Sequence, residues 1–418
     1  MKILVIHQQF VGPGMSGGSR MNELSRHWVR QGHEVTVVAG TVAYDTGKAP
    51  EAYRGKFFVR EEVEGVRVLR TYIASGYHAS FLRRLLSLLS FMVTSFLGGL
   101  RVGRHEVVVA TSPPLFVGLS GWLLACCWRC PFVFEVRDLW PQSAVDLGLL
   151  RNPLAIRLAE WLEKFIYQRA DRTCILLPYF RSVIEQKGVS AEKIFYIPNA
   201  ADLELFAQAR TREESRRALG FDSEFLVLYL GAHGTANHLL QVLEAARRLA
   251  DFPEIHLLLV GDGIEKPRLK QVAQEWSLAR VHFLDPVPKT EVPDLCRAVD
   301  AGLVVLKKVE TFKHAYPNKL FDYLAAELPV VCGLDGTARE LVEHADAGLY
   351  AEPENADAIA HAILHLYRHP EERARMGANG RRFVEQNFRR DKLADIYMGQ
   401  LHALMQEKLN GVEQCVIP

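Results

Sequence analysis

The residues Pro317, Lys319 and Asp322 have the types and spacing of the start of an anion-binding helix. Proline suits the first turn of a helix, where the free backbone N–H groups carry about half a positive charge. Lys319 adds a cation to this turn, and Asp322, one turn later, can accept hydrogen bonds from a pair of hydroxyl groups. The combination predicts a ligand with a diphosphate and a ribose. The alternative interpretation is an ordinary amphipathic helix with Lys319 and Asp322 in solvent.

Short apolar runs that alternate with helical patterns must position these residues. This alternation is typical of β-α units and parallel sheets. The runs predict strands at 3–7, 34–38, 66–70, 107–110, 132–136, 173–176, 225–230, 255–260, 281–283, 301–306 and 329–332. The helix of Lys319 follows one of these runs and precedes another, so we expect it to begin near the carboxyl ends of parallel strands.

Length, charge and cysteine usage restrict the class of protein. A chain of 418 residues is too long for one ordinary core and predicts two domains, with a hinge around 198–210. The formal net charge of +1 argues against a nucleic-acid partner. The chain begins with a strand rather than a leader, which favours a cytoplasmic location. We expect the seven cysteines to be buried, reduced thiols, and no ligand cluster or Asp-x-Asp pair predicts an essential metal.

The segment Pro-Asn-Lys-Leu-Phe-Asp-Tyr-Leu-Ala at 317–325, followed by Pro-Val-Val at 329–331, resembles the donor-site segment of family 4 retaining glycosyltransferases. Four further stretches occur in the family's order, at 14–20, 32–38, 197–206 and 257–263. The resemblance implies an α/β protein of the GT-B fold, with two Rossmann-like doubly wound domains that face a central cleft. It implies an acceptor-side domain at 1–197, a donor-binding domain at 198–385, and a helical stretch at 386–418 that crosses back to the first domain.

The resemblance also implies site residues. The expected catalytic residues are Arg137, Asp138, His314 and Lys319. The expected donor-binding residues are Gly17, Gly18, Gly234, Asp262, Leu284, Val287, Lys319, Leu320 and Asp322. The chain departs from the family at three positions: Asp322 and His314 replace its two usual glutamates, and Glu327 replaces a glycine. Two alternatives remain open, since Arg137 and Asp138 could form an ion pair that caps a strand end and the glycines could form a plain flexible loop.

An acid-free interval predicts membrane contact. No Asp or Glu occurs between Glu64 and Glu106, whereas the interval contains Arg83, Arg84, Arg101 and Arg104. These arginines flank sixteen uncharged residues at 85–100. Because a spanning helix needs about 20 residues, we expect a helix that lies in the interface of an anionic membrane. The alternative is a buried crossover helix of the first domain, and we assign the next apolar stretch, 115–127, to the core.

Together these features predict a cytoplasmic, membrane-peripheral, retaining glycosyltransferase that moves a sugar from a UDP-sugar to a lipid-linked or polysaccharide acceptor. No cofactor is expected, since the nucleotide sugar is a co-substrate and the family's front-face mechanism needs no separate nucleophile. The variant Arg-Asp-Leu-Trp-Pro at 137–141 resembles members that build bacterial surface polysaccharides such as O-antigen, including transferases of acetamido deoxy sugars. The alternatives are a nucleotide-sugar epimerase of related fold and a non-catalytic, membrane-recruited subunit that binds nucleotide sugars.

Overall fold

The computed structural model describes residues 1–12, 15, 17–42, 49–74, 76 and 81–414. The chain divides into two compact units. The first contains the chain up to Pro198, apart from part of the glycine-rich loop before Gly18, together with the chain from Asp391 onward. The second contains Asn199–Arg390.

An eight-stranded sheet forms the centre of the first unit. Its strands are β1 (Lys2–Ile6), β2 (Glu34–Gly40), β3 (Phe58–Val63), β4 (Val66–Thr71), β5 (Val107–Ser112), β6 (Phe132–Val136), β7 (Arg172–Ile175) and β8 (Ile194–Tyr196). Their order is β3-β4-β2-β1-β5-β6-β7-β8, and all neighbours are parallel except the pair β3 and β4. The turn of this hairpin is Glu64-Gly65, and both residues have positive φ, 50° and 81°, which matches the right-handed twist of the strands.

Among the described residues, six α-helices connect these strands: α1 (Arg20–Arg30), α2 (Phe81–Val102), α3 (Val117–Trp128), α4 (Gln142–Asp146), α5 (Pro153–Arg169) and α6 (Pro178–Gln186). Helices α2, α3 and α5 lie side by side, with α3 between the other two. Small residues allow this close packing. The Ser95 hydroxyl of α2 donates to the Ser120 hydroxyl of α3 at 3.0 Å, and a Cβ on Gly118 of α3 would lie 2.6 Å from Ile166 of α5.

The second unit contains a six-stranded, wholly parallel sheet. Its strands are β9 (Phe225–Leu230), β10 (Ile255–Val260), β11 (Val281–Leu284), β12 (Ala301–Val305), β13 (Val330–Gly333) and β14 (Gly348–Tyr350). Their order is β11-β10-β9-β12-β13-β14. The chain therefore proceeds from β9 towards one edge, then returns to β12 and proceeds towards the other edge. The strand order reverses between β9 and β12.

The remaining helices are α7 (Leu203–Ala207), α8 (Arg212–Leu219), α9 (Leu240–Arg248), α10 (Lys266–Glu275), α11 (Val292–Ala298), α12 (Asn318–Ala325), α13 (Thr337–His344), α14 (Ala356–Arg368), α15 (Pro370–Asn387) and α16 (Arg390–Gln414). Local sequence explains several ends. Thr211 and Glu214 form a capping box at the start of α8, and Gly220 ends this helix with φ of 79°. In the first unit, α16 packs on α1, where the Trp28 indole donates to the Ala394 carbonyl at 3.1 Å.

The predicted α/β class with two doubly wound parallel sheets is confirmed. All eleven predicted strands are present within two residues of their expected bounds. The prediction missed β8 and β14, which have only three residues each, and β3, whose Arg-Glu-Glu centre hides its strand character.

The structure differs in part from three expectations. The apolar helix expected at 85–100 is α2. This helix has 22 residues and is longer than expected, since it also includes the residues on both sides of 85–100. The stretch at 115–127 is only partly core, since Leu123 of α3 is exposed. Cys126 and Cys127 are also exposed rather than buried, whereas Cys174, Cys296 and Cys332 are buried. These are free cysteines, as expected.

Candidate active site

The loops that follow β9, β10 and β12 meet where the strand order of the second sheet reverses. Gly231 and His233 follow β9, Asp262 follows β10, and α12 begins in the connection that follows β12. In open α/β sheets, ligands bind outside the carboxyl ends of the strands at such a reversal point. The predicted anion-binding helix therefore begins at the position where this fold binds ligands.

The amine of Lys319 is buried at this point. Its Nζ lies 3.6 Å from the centroid of the Tyr229 ring, which is a cation–π distance. This nitrogen has no hydrogen-bond partner within the described part of the chain. Burial lowers the pKa of Lys319 from 10.5 to about 7. The alternative interpretation with Lys319 in solvent is wrong, and the amine retains its capacity for donating to a ligand.

Two glycines bring the neighbouring loops into backbone contact. Gly261 has φ of 143°, and a Cβ there would lie 1.9 Å from the Gly231 carbonyl oxygen. Gly263 has φ of 157°, and its Cβ would lie 2.5 Å from the His233 carbonyl oxygen. The His233 N–H also donates to the Asp262 carbonyl at 2.8 Å. Larger residues at either glycine would separate the loops that surround the Lys319 amine.

The imidazole of His233 is a second buried polar group at the same point. Both of its ring nitrogens lack hydrogen-bond partners among the residues described. Burial, and then the charges of Lys266 and Lys319, lower the pKa of His233 to about 4. The ring is therefore neutral at pH 7 and can donate one hydrogen bond and accept another. Positive charge at this site depends on the lysines rather than on His233.

Asp322 forms an ion pair that the sequence analysis missed. The Lys289 Nζ lies 2.5 Å from Asp322 Oδ1, and both side chains are largely buried. The alternative with Asp322 in solvent is therefore wrong. Thirty-three residues separate the two partners, and no spacing rule connects positions so far apart. In the sequence, the position of Lys289 just after Val287, a predicted donor-binding residue, could have indicated that Lys289 lies near the site.

The remaining donor-side predictions have different environments. Leu320 is a fully buried core residue. Asp262 Oδ1 accepts from the Gly263 N–H at 2.8 Å. The Leu284 carbonyl accepts at 3.0 Å from the amine of Lys266, which was not predicted. Val287 packs against the core, and the Gly234 carbonyl accepts from the Asn237 N–H. Gly234 and Asp262 belong to the loops next to Lys319, whereas Leu284 and Val287 lie at the end of β11 and beyond it.

His314 and Glu327 occupy the two other unusual positions. His314 ends a short 3-10 helix, Glu310–His314, and burial lowers its pKa below 6.5. Glu327 has φ of 61°, which is the left-handed region that favours glycine. This backbone conformation explains why the resembled family usually has glycine there, and Glu327 adopts it with a side chain that is exposed.

In the first unit, Arg137 and Asp138 follow β6 directly. The Arg137 Nε donates to the Ser112 carbonyl at 2.8 Å. Asp138 accepts from the Ser143 hydroxyl at 2.9 Å, and burial raises the pKa of Asp138. These contacts place Arg137 across the ends of β5 and β6. They are compatible with the ligand role predicted for Arg137 and Asp138 and also with the structural alternative.

His7, just after β1, is a polar residue of the first unit that the sequence analysis missed. Both ring nitrogens are buried and lack hydrogen-bond partners in the described ranges. Burial, followed by the charges of Arg137 and Arg70, lowers the pKa of His7 well below 6.5. A buried imidazole with a lowered pKa thus occurs at the carboxyl end of the first sheet. A histidine at the end of a strand was the available signal.

A buried ion pair fixes the helix that follows the glycine loop. Arg20 is the first residue of α1, and its guanidinium lies 3.1 Å from the Glu135 carboxylate. Arg20 also donates to the Ile197 carbonyl at 2.8 Å. Gly17 and Gly18 lie immediately before this helix, and Gly17 has φ of 148°. The contacts of Arg20 determine where the glycine loop ends.

One group of potential metal ligands occurs among the described residues. It consists of His365, His369 and Glu372, whose ligand atoms lie within 4.8 Å of one another. The group is at the junction of α14 and α15, and His365 already pairs with Glu372 at 2.6 Å. It includes none of the predicted site residues.

Comparisons with known proteins agree with this geometry. Residues 17–200 match the family described as "Glycosyl transferase 4-like domain", and residues 211–383 match "Glycosyl transferases group 1". The chain belongs to family 4 of the glycosyltransferases. The two matches together cover most of the chain. Glycosyltransferase activity is therefore the activity of this transferase's family. Its two parallel sheets are those of the GT-B fold.

Three relatives illustrate the similarity. The transferase is 29% identical over 334 residues to the glycosyl transferase WcaI of Escherichia coli strain K12, whose name assigns it to colanic acid biosynthesis; the match covers 78% of this chain and 81% of WcaI. Sucrose-phosphate synthase of Thermosynechococcus elongatus has a similar fold, with a TM-score of 0.74, 20% identity and coverage of 97% and 99%. HepE of Anabaena, in complex with UDP-glucose, gives a TM-score of 0.72 at 19% identity and coverage of 96% and 100%.

Proposed function

We propose that this chain is a retaining glycosyltransferase that transfers a sugar from a UDP-sugar to a lipid-linked or polysaccharide acceptor in bacterial surface-polysaccharide biosynthesis. The observation that carries the proposal is the buried Lys319 amine, which lies at the reversal point of the second sheet without a protein acceptor. An isolated buried cation is costly, and an anionic ligand at this position relieves the cost. The UDP-glucose complex of HepE and the name of WcaI support the choice of donor and pathway.

The chemistry requires stabilisation of a leaving diphosphate. The bond between the anomeric carbon and the diphosphate oxygen breaks, and the acceptor oxygen forms a bond to that carbon on the same face. The acceptor proton passes to the leaving diphosphate. Lys319 neutralises the charge that develops on the phosphate oxygens, and the neutral His233 donates a hydrogen bond there. No step in this scheme uses a metal or a cofactor.

The other residues have binding roles in this proposal. The carboxylate of Asp322, oriented by Lys289, accepts from the ribose hydroxyls. Asp262 and Val287 border the nucleobase. Arg137, Asp138, Gly17 and Gly18 are assigned to donor binding, and His314 to a hydroxyl of the donor sugar. Acetamido deoxy sugars are the first UDP-sugars to screen.

The proposal includes a location. The enzyme is cytoplasmic and binds peripherally to the inner face of the cytoplasmic membrane, where a lipid-linked acceptor is available. Arg83, Arg84, Arg101 and Arg104 contribute attraction to anionic head groups. Two of the four, Arg83 and Arg101, are exposed on α2, and Arg104 is exposed just after it.

Calorimetric titration with UDP, GDP and ADP tests the donor site. We expect UDP to bind most tightly, and Lys319→Met to weaken UDP binding about 10-fold or more because a charged hydrogen bond is lost. The matched control is Lys308→Met, since Lys308 lies in the same β12–α12 connection but pairs with Glu352 at the surface. Uridine has no phosphate, so its affinity should differ much less between wild type and Lys319→Met than the affinity of UDP does.

Each result is decisive for part of the proposal. Absence of binding by every nucleotide would refute the donor site and favour a non-catalytic role. Preference for GDP or ADP would refute the UDP assignment alone. When a productive donor is identified, NMR of the anomeric proton in the new glycosidic bond determines the stereochemistry, and an inverted product would contradict the retaining mechanism.

A further inference from the structure

An apolar stripe runs along the solvent side of α2. Its residues are separated by three, four or seven positions and are between 43% and 74% exposed: Leu82, Leu86, Val93, Leu97 and Leu100. A surface helix of a globular protein normally exposes its polar face to water. Here the opposite side of α2 is occupied by packing, since Phe91 is fully buried and a Cβ on Gly98 would contact Thr71 of β4. The helix is therefore apolar on the side that faces solvent as well.

The exposed apolar surface continues over α3 and α5. On α5, Leu154, Leu158 and Trp161 are between 61% and 74% exposed. The Trp161 ring stacks on Phe165 with centroids 5.6 Å apart, and Phe165 contacts the edge of Trp122 on α3 at 5.0 Å. Since α3 lies between α2 and α5 and exposes Leu123, the three helices form one surface, which we call the apolar face.

The apolar face differs from an ordinary core surface. Within the described ranges, α2 is the one helix long and apolar enough to cross a membrane, with 21 residues from Leu82 to Val102 and mean hydropathy 1.7. Only 39% of this window is buried, whereas a core helix is mostly buried. However, the Thr94 hydroxyl of α2 donates to the Tyr72 carbonyl at 2.8 Å, and α2 packs on the sheet along its length. The helix is thus held along the surface of the unit and does not project from it.

Charge is distributed at the two ends of α2 and not along the stripe. Arg67 pairs with Glu34 and Arg70 pairs with Glu61, so these two arginines of the acid-free interval are neutralised. Further basic groups of the interval lie at the ends of α2: Arg83 and Arg84 at one end and Arg101 and Arg104 at the other. Cations at both ends of an apolar stripe, with tryptophans beside it, match the order of head groups and acyl chains in a bilayer interface.

We propose that the apolar face inserts into the interfacial region of a lipid bilayer, with α2 parallel to the membrane plane. Insertion depends mainly on the apolar side chains of α2 and α5, and the arginines at the ends of α2 add a preference for anionic lipids. The inference deepens the membrane location stated under the proposed function. It adds residues of α5 that the charge pattern does not indicate, and it makes binding largely independent of salt.

Flotation of the full-length protein with vesicles tests the inference, using phosphatidylcholine alone and phosphatidylcholine mixed with phosphatidylglycerol, each at low and high salt. Wild type should float with both vesicle types and at both salt concentrations. Two triple variants should each reduce partitioning about 10-fold or more, since every glutamine replaces apolar carbon atoms with a polar amide: Leu86→Gln/Val93→Gln/Leu97→Gln on α2 and Leu154→Gln/Leu158→Gln/Trp161→Gln on α5. Replacement of Arg83, Arg84, Arg101 and Arg104 by Gln should remove only the preference for anionic vesicles.

The matched control is Ile264→Gln/Ile396→Gln/Leu409→Gln, because these apolar residues are between 52% and 68% exposed but lie on other helices or loops. This variant should float like wild type. Circular dichroism and thermal unfolding confirm that all variants are folded, and nucleotide titration without lipid reports on the donor site separately. Failure of the donor site and failure of membrane insertion are therefore distinguishable.

Four results would overturn the inference. Wild type that stays at the bottom of the gradient lacks membrane affinity, and triple variants that float like wild type exclude the apolar face as its source. Flotation lost at high salt would indicate attraction by the arginines alone. If sedimentation instead shows that wild type self-associates without lipid and the triple variants are monomeric, the apolar face is an interface between copies of the chain.

Discussion

The buried position of Lys319 predicts that the affinity for a nucleotide sugar decreases as the pH rises through 7. Burial lowers the pKa of Lys319 to about 7, so about half of the amine is charged at this pH in the free protein. A diphosphate bound beside the amine favours the charged form. Binding therefore raises the pKa of Lys319 and takes up a proton from solution.

The magnitude follows from this single ionisation. If only the protonated amine binds the donor, the apparent Kd is the intrinsic Kd multiplied by 1 + 10^(pH − pKa). With a pKa of about 7, this factor is about 1.1 at pH 6 and about 11 at pH 8, a tenfold loss of affinity or about 1.4 kcal/mol. His233 adds nothing to this change, because its pKa of about 4 keeps the ring neutral over the same range.

Calorimetry with an intact UDP-sugar measures this effect, since the diester diphosphate does not titrate between these pH values. Titrations in buffers of different ionisation enthalpy count the protons taken up, which should be about 0.1 per site at pH 6, about 0.5 at pH 7 and about 0.9 at pH 8. Lys319→Met should bind weakly and without pH dependence. Wild-type affinity that is constant from pH 6 to pH 8, with no proton uptake, would refute the assignment of Lys319 as the diphosphate ligand.

Three further predictions concern stability and the ribose site. The pKa of Lys319 is about 7 in the folded chain and 10.5 in the unfolded chain, so burial of the charged amine lowers the free energy of unfolding by on the order of 4 kcal/mol at pH 7. This destabilisation is complete below pH 7 and disappears as the pH rises to 10.5. Urea unfolding should therefore show Lys319→Met to be more stable than wild type at pH 7, and a less stable variant would contradict the burial of the charge. Lys289→Met leaves the Asp322 carboxylate without this cation, so we expect the free energy of unfolding to fall by about 3 kcal/mol and the donor affinity to fall as well. Adding Asp322→Asn should restore the stability but not the affinity. If the two substitutions instead lower the free energy of unfolding additively, the result would argue against the ion pair. Glu327→Gly should raise the unfolding free energy by about 1 kcal/mol through relief of the left-handed backbone conformation, while Lys270→Gly, in the middle of α10, should lower it by a similar amount. Unchanged stability of Glu327→Gly would show that the conformation carries no strain.

The sequence predicted the parts of the structure that depend on local pattern. Mainly apolar runs located β9, β10 and β6 to the residue, because a strand buried on both faces is predominantly apolar. Pro317 and Lys319 located the start of α12, since the chemistry of a helix start is local. The same reasoning missed β3, whose polar residues pair with β4 at the sheet edge. A half-exposed strand carries a weaker pattern.

The partners of the site residues were not predictable in the same way. Lys289 and Asp322 meet only because α12 and the chain before α11 pack together. The buried state of Lys319 depends on Tyr229 of β9 and on Gly231 just after this strand. Long-range packing, and not residue type, determines these environments. It also determined the exposure of Trp161, which no charge or hydropathy pattern in α5 indicated.

The environment of the Lys319 amine also has a consequence for reagents. A lysine with an ordinary pKa is almost fully protonated at pH 8 and reacts slowly with electrophiles, whereas the pKa of Lys319 of about 7 leaves most of this amine unprotonated. An aldehyde or acyl reagent that carries a phosphate group would be directed to this nitrogen and would form a covalent bond there before it modified surface lysines. UDP should protect the site from such labelling. The group proposed to bind the donor is therefore also a point at which a small molecule should inactivate the enzyme selectively.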